Sequence, residues 1–159
     1  MGARWPVTTV LLLGLLLCLA ACAHAGKAPD WSAEIDRAQA RWRESGLDDY
    51  RIVVRDSSLW HMQTHDILVR DGLVVEASAT CSPAPIEGRE CEVRSFEGET
   101  YIVPGLFERA RWIAARGKAQ HIQIEFDARY GYPTRIRYDD PEVIDEEWGW
   151  GVEEFEVLD

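Results

Sequence analysis

The sequence lacks several of the patterns that identify enzymes and nucleic-acid-binding proteins. None of its serines lies in a G-x-S-x-G elbow, and it contains no phosphate-binding loop or dinucleotide fingerprint. It has no basic stretch interleaved with aromatic residues, and its 28 acidic residues outnumber its 17 basic ones. A domain of this charge repels nucleic acid and anionic lipid surfaces. We therefore expect no nucleic-acid partner, no cofactor, no catalytic residue and no enzymatic activity.

Long apolar runs are scarce as well. The apolar run at residues 10–17 is too short to span a bilayer, which takes about 20 residues. It follows Arg4 and leads into Leu19-Ala20-Ala21-Cys22, a sequence that looks like a bacterial lipobox. This pattern predicts a signal peptide at 1–21 and a lipid anchor, with chains such as palmitate, on Cys22. The alternative is ordinary secretory cleavage near residues 21–25.

The predicted anchor indicates where the protein resides. We expect a bacterial cell-envelope protein that is attached to a membrane through its N-terminal lipid. Ala23, rather than an aspartate, follows the cysteine, which favours the outer membrane, facing the periplasm, in an organism that has one. Residues 22–30 would then be the lipidated cysteine and a short tether, and residues 31–159 a single domain.

Two cysteines remain for the exported domain after Cys18 leaves with the signal and Cys22 is lipidated. Cys81 and Cys91 form an even pair in an exported protein, so we predict a disulfide between them. Their spacing does not resemble a redox-active C-x-x-C pair. Prolines and glycines surround them. We therefore predict that residues 81–100 form a loop that the disulfide holds closed.

Hydrophobic periodicity predicts an α+β domain in the order α-β-β-β-α-β-β-β. Apolar residues at helical spacing indicate a helix from residue 31 to Gly46, capped by Asp30 or Ser32, and a second from 103 to Gly117. Asp71-Gly72 has the composition of a two-residue hairpin turn. We expect both helices to pack on one face of a mainly antiparallel sheet. The predicted strands are 50–55, 66–70, 73–77, 122–126, 134–138 and 152–158, the last with Phe155 and Val157 facing inward.

These features together resemble an uncharacterised bacterial lipoprotein family, domain of unknown function 6174. The most specific part of the resemblance is Gly131-Tyr132-Pro133-Thr134, followed by an acidic pair. The resemblance implies an envelope location and this fold, and it implies no activity. The other matching residues are Tyr50, Arg70-Asp71-Gly72, Phe107, Phe126-Asp127, Tyr130, Ile136, Asp139 and Asp145-Glu146.

The last 21 residues hold ten carboxylates and no basic side chain, and this acidic segment is a candidate site. Its 139–147 part could supply calcium with oxygen ligands from Asp139, Asp140, Asp145 and Glu146. The spacing does not fit an EF-hand loop, and charge runs of this kind are usually solvated. A solvated or partner-facing loop is therefore the favoured interpretation, and calcium binding is the alternative.

Two tryptophans in the acidic segment are a further candidate. Trp148 and Trp150 flank a glycine, and if exposed they could contact a partner. The favoured interpretation is that one or both pack onto the sheet. His61 and His65, by contrast, are separated by about 13 Å if the chain there is extended, so we predict no zinc site.

The sequence as a whole predicts a lipid-anchored, non-catalytic structural or binding module. It would contact another envelope component through the acidic segment and its strand edges. A calcium-dependent module is the second hypothesis, and an envelope enzyme is the third.

Overall fold

A computed structural model gives the structure of this protein, and it describes residues 28–58, 62–82, 95–144 and 146–159. Two helices and a six-stranded antiparallel sheet make the domain α+β, as predicted. A single helical turn, Ser95–Gly98, and a 3₁₀ turn, Ala119–His121, were not foreseen and lengthen the predicted element order. The elements are α1 (Trp31–Ser45), β1 (Tyr50–Ser58), β2 (Met62–Arg70), β3 (Leu73–Ser82), α2 (Val103–Arg116), β4 (Ile122–Phe126), β5 (Pro133–Tyr138) and β6 (Trp148–Val157).

The sheet consists of two three-stranded meanders joined at its centre. The strand order is β3-β2-β1-β6-β5-β4, so the first and last strands of the chain are neighbours. β1 and β6 pair from Tyr50↔Val157 to Ser58↔Trp148, with a register shift between Val53 and Val54. The strands β3 and β4 form the two edges of the sheet. The centre of the sheet therefore depends on a pairing between residues about a hundred positions apart.

Local sequence signals set the ends of the first helix and the first hairpin. The Asp30 side chain accepts a hydrogen bond from the Ala33 backbone N–H at the start of α1, and Gly46 ends the helix in the left-handed conformation. Asp71 and Gly72 both have positive φ, 51° and 74°, as a two-residue hairpin turn requires. These assignments confirm the predictions made for both segments.

The cap at α1 yields a stability prediction. Asp30→Ala should lower the free energy of unfolding by about 1 kcal/mol, because the Ala33 N–H loses its side-chain acceptor. Urea unfolding followed by circular dichroism measures the change. Ser32→Ala is the matched control and should change stability little, since Ser32 is exposed and Asp30 is the capping residue. Equal losses in the two variants would contradict this assignment of the cap.

The core forms one cluster between the helices and one face of the sheet. Ile35 and Ala38 of α1 are buried, as are Leu106 and Phe107 of α2, which confirms the predicted helix faces. On the strands the same cluster takes alternate residues, so the opposite face carries the polar ones. The buried strand residues of the cluster are Tyr50, Ile52, Val54, Ile67, Val69, Ile122, Ile124, Ile136 and Trp150.

Several predicted boundaries were wrong. Residues 81 and 82 belong to β3 rather than to a loop, and β6 begins at Trp148, four residues before the predicted start. Val157 pairs with the buried Tyr50 and so lies on the core face, as expected, but as the last residue of β6 it is still 40% exposed. The end of α2 at Gly117 was predicted correctly, and its backbone there is extended.

Candidate functional site

A glycine-floored trough crosses the solvent-facing side of the sheet. The side chains of Trp148 and Trp150 contact Arg109 of α2, so the alternate residues of β6, Gly149 and Gly151, lie on the opposite face. β6 runs between β1 and β5, and a residue without a side chain leaves a gap between its two neighbours there. The resulting trough has a volume of about 480 Å³.

Two rows of residues define the trough. In one row Gly151 pairs with Arg55 on β1 and with Arg135 on β5. In the other row Gly149 pairs in the same way with Ser57 and Arg137. Because adjacent strands lie about 4.8 Å apart, each row places its two outer residues about 10 Å apart across the glycine. The trough is therefore walled by three arginines and a serine.

Each arginine of the trough forms an ion pair at the protein surface. The side chains of Arg55, Arg135 and Arg137 are 49%, 57% and 50% exposed. Each has a carboxylate partner: Glu153 for Arg55, Asp139 at 3.2 Å for Arg137, and Glu125 at 3.7 Å for Arg135. Exposed ion pairs of this kind contribute little to stability and rearrange readily. Of the three guanidinium groups, that of Arg135 is the one whose ion pair is longer than a hydrogen bond.

The fold itself does not require a glycine at position 151. A Cβ atom there would meet none of the described residues within 4 Å, and the backbone φ of Gly151 lies outside the range that favours glycine. A glycine inside a strand lowers stability through its conformational entropy and its missing side chain, and such glycines often mark the close approach of a ligand. Gly149 has less room, since a Cβ atom there would lie 3.3 Å from the Ile136 carbonyl oxygen.

Beneath the trough, on the helix side, an arginine lies among three tryptophans. The Arg109 guanidinium carbon is 4.3 Å from the Trp148 ring centroid, 4.8 Å from that of Trp112 and 5.0 Å from that of Trp150. Burial lowers the pKa of Arg109, and its Nε atom has no hydrogen-bond partner within the described part of the chain. Cation–π attraction to the three rings compensates for the lost hydration.

An unusual histidine continues this aromatic cluster. His65 is 2% exposed and stacks on Tyr101 with 3.6 Å between ring centroids, while Tyr101 packs against Trp150. Among the residues that the structure describes, neither ring nitrogen of His65 has a hydrogen-bond partner, and burial lowers its pKa to about 4. The Tyr101 hydroxyl donates to Asp56 at 3.3 Å. His65 is thus held neutral in the core.

The structure separates the residues that the sequence suggested as an interaction surface. Trp150 is 6% exposed and Trp148 is half-buried, so the tryptophans pack onto the sheet and do not form an exposed pair. Asp140 is also buried, whereas Glu146 is exposed and Asp145 lies outside the described residues. These residues do not form one contact surface within the described part of the chain.

The buried aspartate has cationic and backbone partners. Lys118 donates to Asp140 Oδ2 at 3.3 Å, and the Glu142 N–H donates to Oδ1 at 3.1 Å. His121 Nδ1 is also 3.3 Å from Oδ2, but without hydrogen-bond geometry. The Glu142 N–H and Lys118 hold the pKa of Asp140 below its usual range, against the effect of burial. A cation bound to Asp140 would have to displace Lys118.

The remaining sequence predictions can be placed only in part. Cys81 is disulfide-bonded, and its expected partner Cys91 lies outside the described residues, as do Cys22 and His61. No group of three or more potential metal-binding side chains occurs among the residues that the structure describes. Within those residues, no helix is both long and apolar enough to cross a membrane.

Sequence reasoning did not identify the trough. Its signal is present as two alternating patterns, Arg135-x-Arg137 in one strand and Gly149-x-Gly151 in another. Each pattern places two residues on one face of a strand. Only the sheet order shows that the two patterns face the same gap.

The fold and the trough define an α+β domain with an open, polar sheet face, and comparison with known proteins places it in a family. The profile of the family of unknown function DUF6174 matches residues 34–157. The chain therefore belongs to this family, as the resemblance in its sequence indicated. No match was found among curated proteins or among solved structures.

Proposed function

We propose that the protein is a non-catalytic binding module that a lipid on Cys22 holds at the bacterial cell envelope. The observation that carries the binding function is the trough over Gly149 and Gly151, whose volume of about 480 Å³ suits a small molecule. The lipobox pattern at residues 19–22 supports the anchor, and Ala23 favours the outer membrane, facing the periplasm.

The chemistry of the trough supports binding rather than catalysis. One of its two serines, Ser57, donates its hydroxyl hydrogen to the Gly149 carbonyl oxygen at 3.2 Å rather than to a base. A nucleophilic serine needs a neighbouring base within hydrogen-bond reach to accept that hydrogen. The residues that face the ligand are therefore suited to holding it.

The anchor can be tested by labelling growing bacteria with radioactive palmitate. The full chain should take up label and sediment with membranes, and Cys22→Ser should abolish both, because the thioether needs the Cys22 sulfur. Cys18→Ser is the matched control and should keep the label, since Cys18 lies within the predicted signal. Separation of inner and outer membranes on a density gradient then tests the favoured location.

Either of two results would contradict the anchor. Label that persists in Cys22→Ser would place the acylation elsewhere. Release of the unlabelled, unaltered chain into the soluble fraction would favour ordinary secretory cleavage near residues 21–25.

A further inference from the structure

We propose that the trough binds a small oxyanion, a carboxylate or a phosphate group, between Arg55 and Arg135 and above Gly151. This inference rests on the proposed function and specifies the ligand class of the same site. The two arginines occupy opposite ends of one cross-strand row with the glycine between them. A single anion above the glycine can therefore contact both guanidinium groups.

The trough gathers three arginines within an acidic protein. Three arginines line it against two glutamates, Glu147 and Glu153, although the whole chain carries a formal charge of −11. A cluster of three arginines in an acidic chain is not explained by solubility, which the excess of carboxylates already provides. Planar guanidinium groups bind carboxylate and phosphate through paired hydrogen bonds, and this pairing selects oxyanions over other ligands.

Arg135 is the arginine that an anion can recruit most easily. It lies 3.7 Å from Glu125 Oε1, a distance beyond a hydrogen bond, and that same oxygen accepts a hydrogen bond from Gln123 at 2.6 Å. Glu125 therefore keeps a partner when Arg135 turns toward the trough. Arg137, which donates to Asp139 at 3.2 Å, and the oxygen of Ser57 line the second row.

Gly151 gives the proposal its sharpest test, because its replacement should separate binding from folding. Gly151→Val places a branched side chain in open space, where valine suits a strand and no atom lies within 4 Å of the new Cβ. The variant should melt at the same temperature as the wild type or higher. It should nevertheless lose the ligand, because the side chain fills the space above the strand.

The binding experiment uses the full lipidated protein in detergent and isothermal titration calorimetry. The probes are inorganic phosphate, glycerol phosphate, succinate and citrate, with glucose as an uncharged probe. We expect at least one anion to bind, and its affinity to fall at least tenfold in both Gly151→Val and Arg135→Gln. Arg43→Gln is the matched control: it removes the same charge from exposed α1 and should change the affinity less than twofold.

The outcomes separate the possible ligands. Binding of phosphate and glycerol phosphate alone identifies a phosphate site, and binding of succinate or citrate alone identifies a carboxylate site. No heat with any anion, or equal losses in Arg135→Gln and Arg43→Gln, would overturn the proposal. A further outcome is that glucose binds the wild type and Arg135→Gln but not Gly151→Val. That result would support a binding function for the trough and would contradict an oxyanion as its ligand.

Discussion

Gly131→Ala is expected to lower the free energy of unfolding by about 3 kcal/mol. Gly131 has a φ of +83°, and a non-glycine residue in that region costs about 1–2 kcal/mol. A Cβ atom there would also overlap the Ala38 carbonyl oxygen and lie 3.0 Å from the Arg41 Cβ, both in α1. Forcing the helix aside adds about 1–3 kcal/mol. Urea unfolding at neutral pH measures the loss.

Gly46→Ala is the matched control for this substitution. Gly46 has a φ of +62°, but a Cβ atom there would meet nothing within 4 Å. Its replacement should lower the free energy of unfolding only through the unfavourable backbone conformation, by about 1 kcal/mol. Equal losses in the two variants would show that α1 adjusts without cost, and the close approach of Gly131 to the helix would then carry no energetic weight.

His65→Phe is expected to remove a large part of the acid sensitivity of the protein. The neutral side chain of His65 stacks on Tyr101, and burial lowers its pKa from 6.5 to about 4. Below pH 6.5 the unfolded chain binds a proton at this site and the native protein does not, so stability falls as the pH falls. Between pH 7 and pH 4 this difference in proton binding lowers the free energy of unfolding by about 3 kcal/mol.

The measurement is urea unfolding of wild type and His65→Phe at several pH values from 7 to 4. Phenylalanine keeps an aromatic ring for stacking and cannot take up a proton, so the difference between the two curves isolates His65. His121→Phe is the control and should retain the steep dependence, because His65 remains in place. Parallel curves for wild type and His65→Phe would mean that the native protein accommodates the charged ring.

Local sequence signals correctly predicted the ends of α1 and the first hairpin turn. Asp30 and Gly46 mark the ends of α1, and Asp71-Gly72 marks the hairpin, because capping and turn geometry depend on a few neighbouring residues. The start of β6 was missed for the opposite reason. Glycines and acidic residues are poor strand formers, and residues 148–151 become extended through pairing with β1 and β5.

The family motif shows how a conspicuous sequence can have a structural role. Gly131 lets the chain pass beneath α1, and Tyr132 stacks on Phe155 of β6 with 4.3 Å between ring centroids. Tyr130 lies 6.2 Å from the same phenylalanine ring. Packing of this kind explains the motif without a catalytic or ligand-binding role.

By itself the sequence determined the helix faces, the turns and the family. It could not determine the candidate site, because a site on a sheet depends on which strands are neighbours. Arg55, Arg135 and Gly151 come from three separate segments, and only the pairing of β6 with both β1 and β5 brings them into one row. That pairing forms because the opposite face of the same strands is buried against the helices. The free energy of this burial comes from apolar contacts throughout the domain.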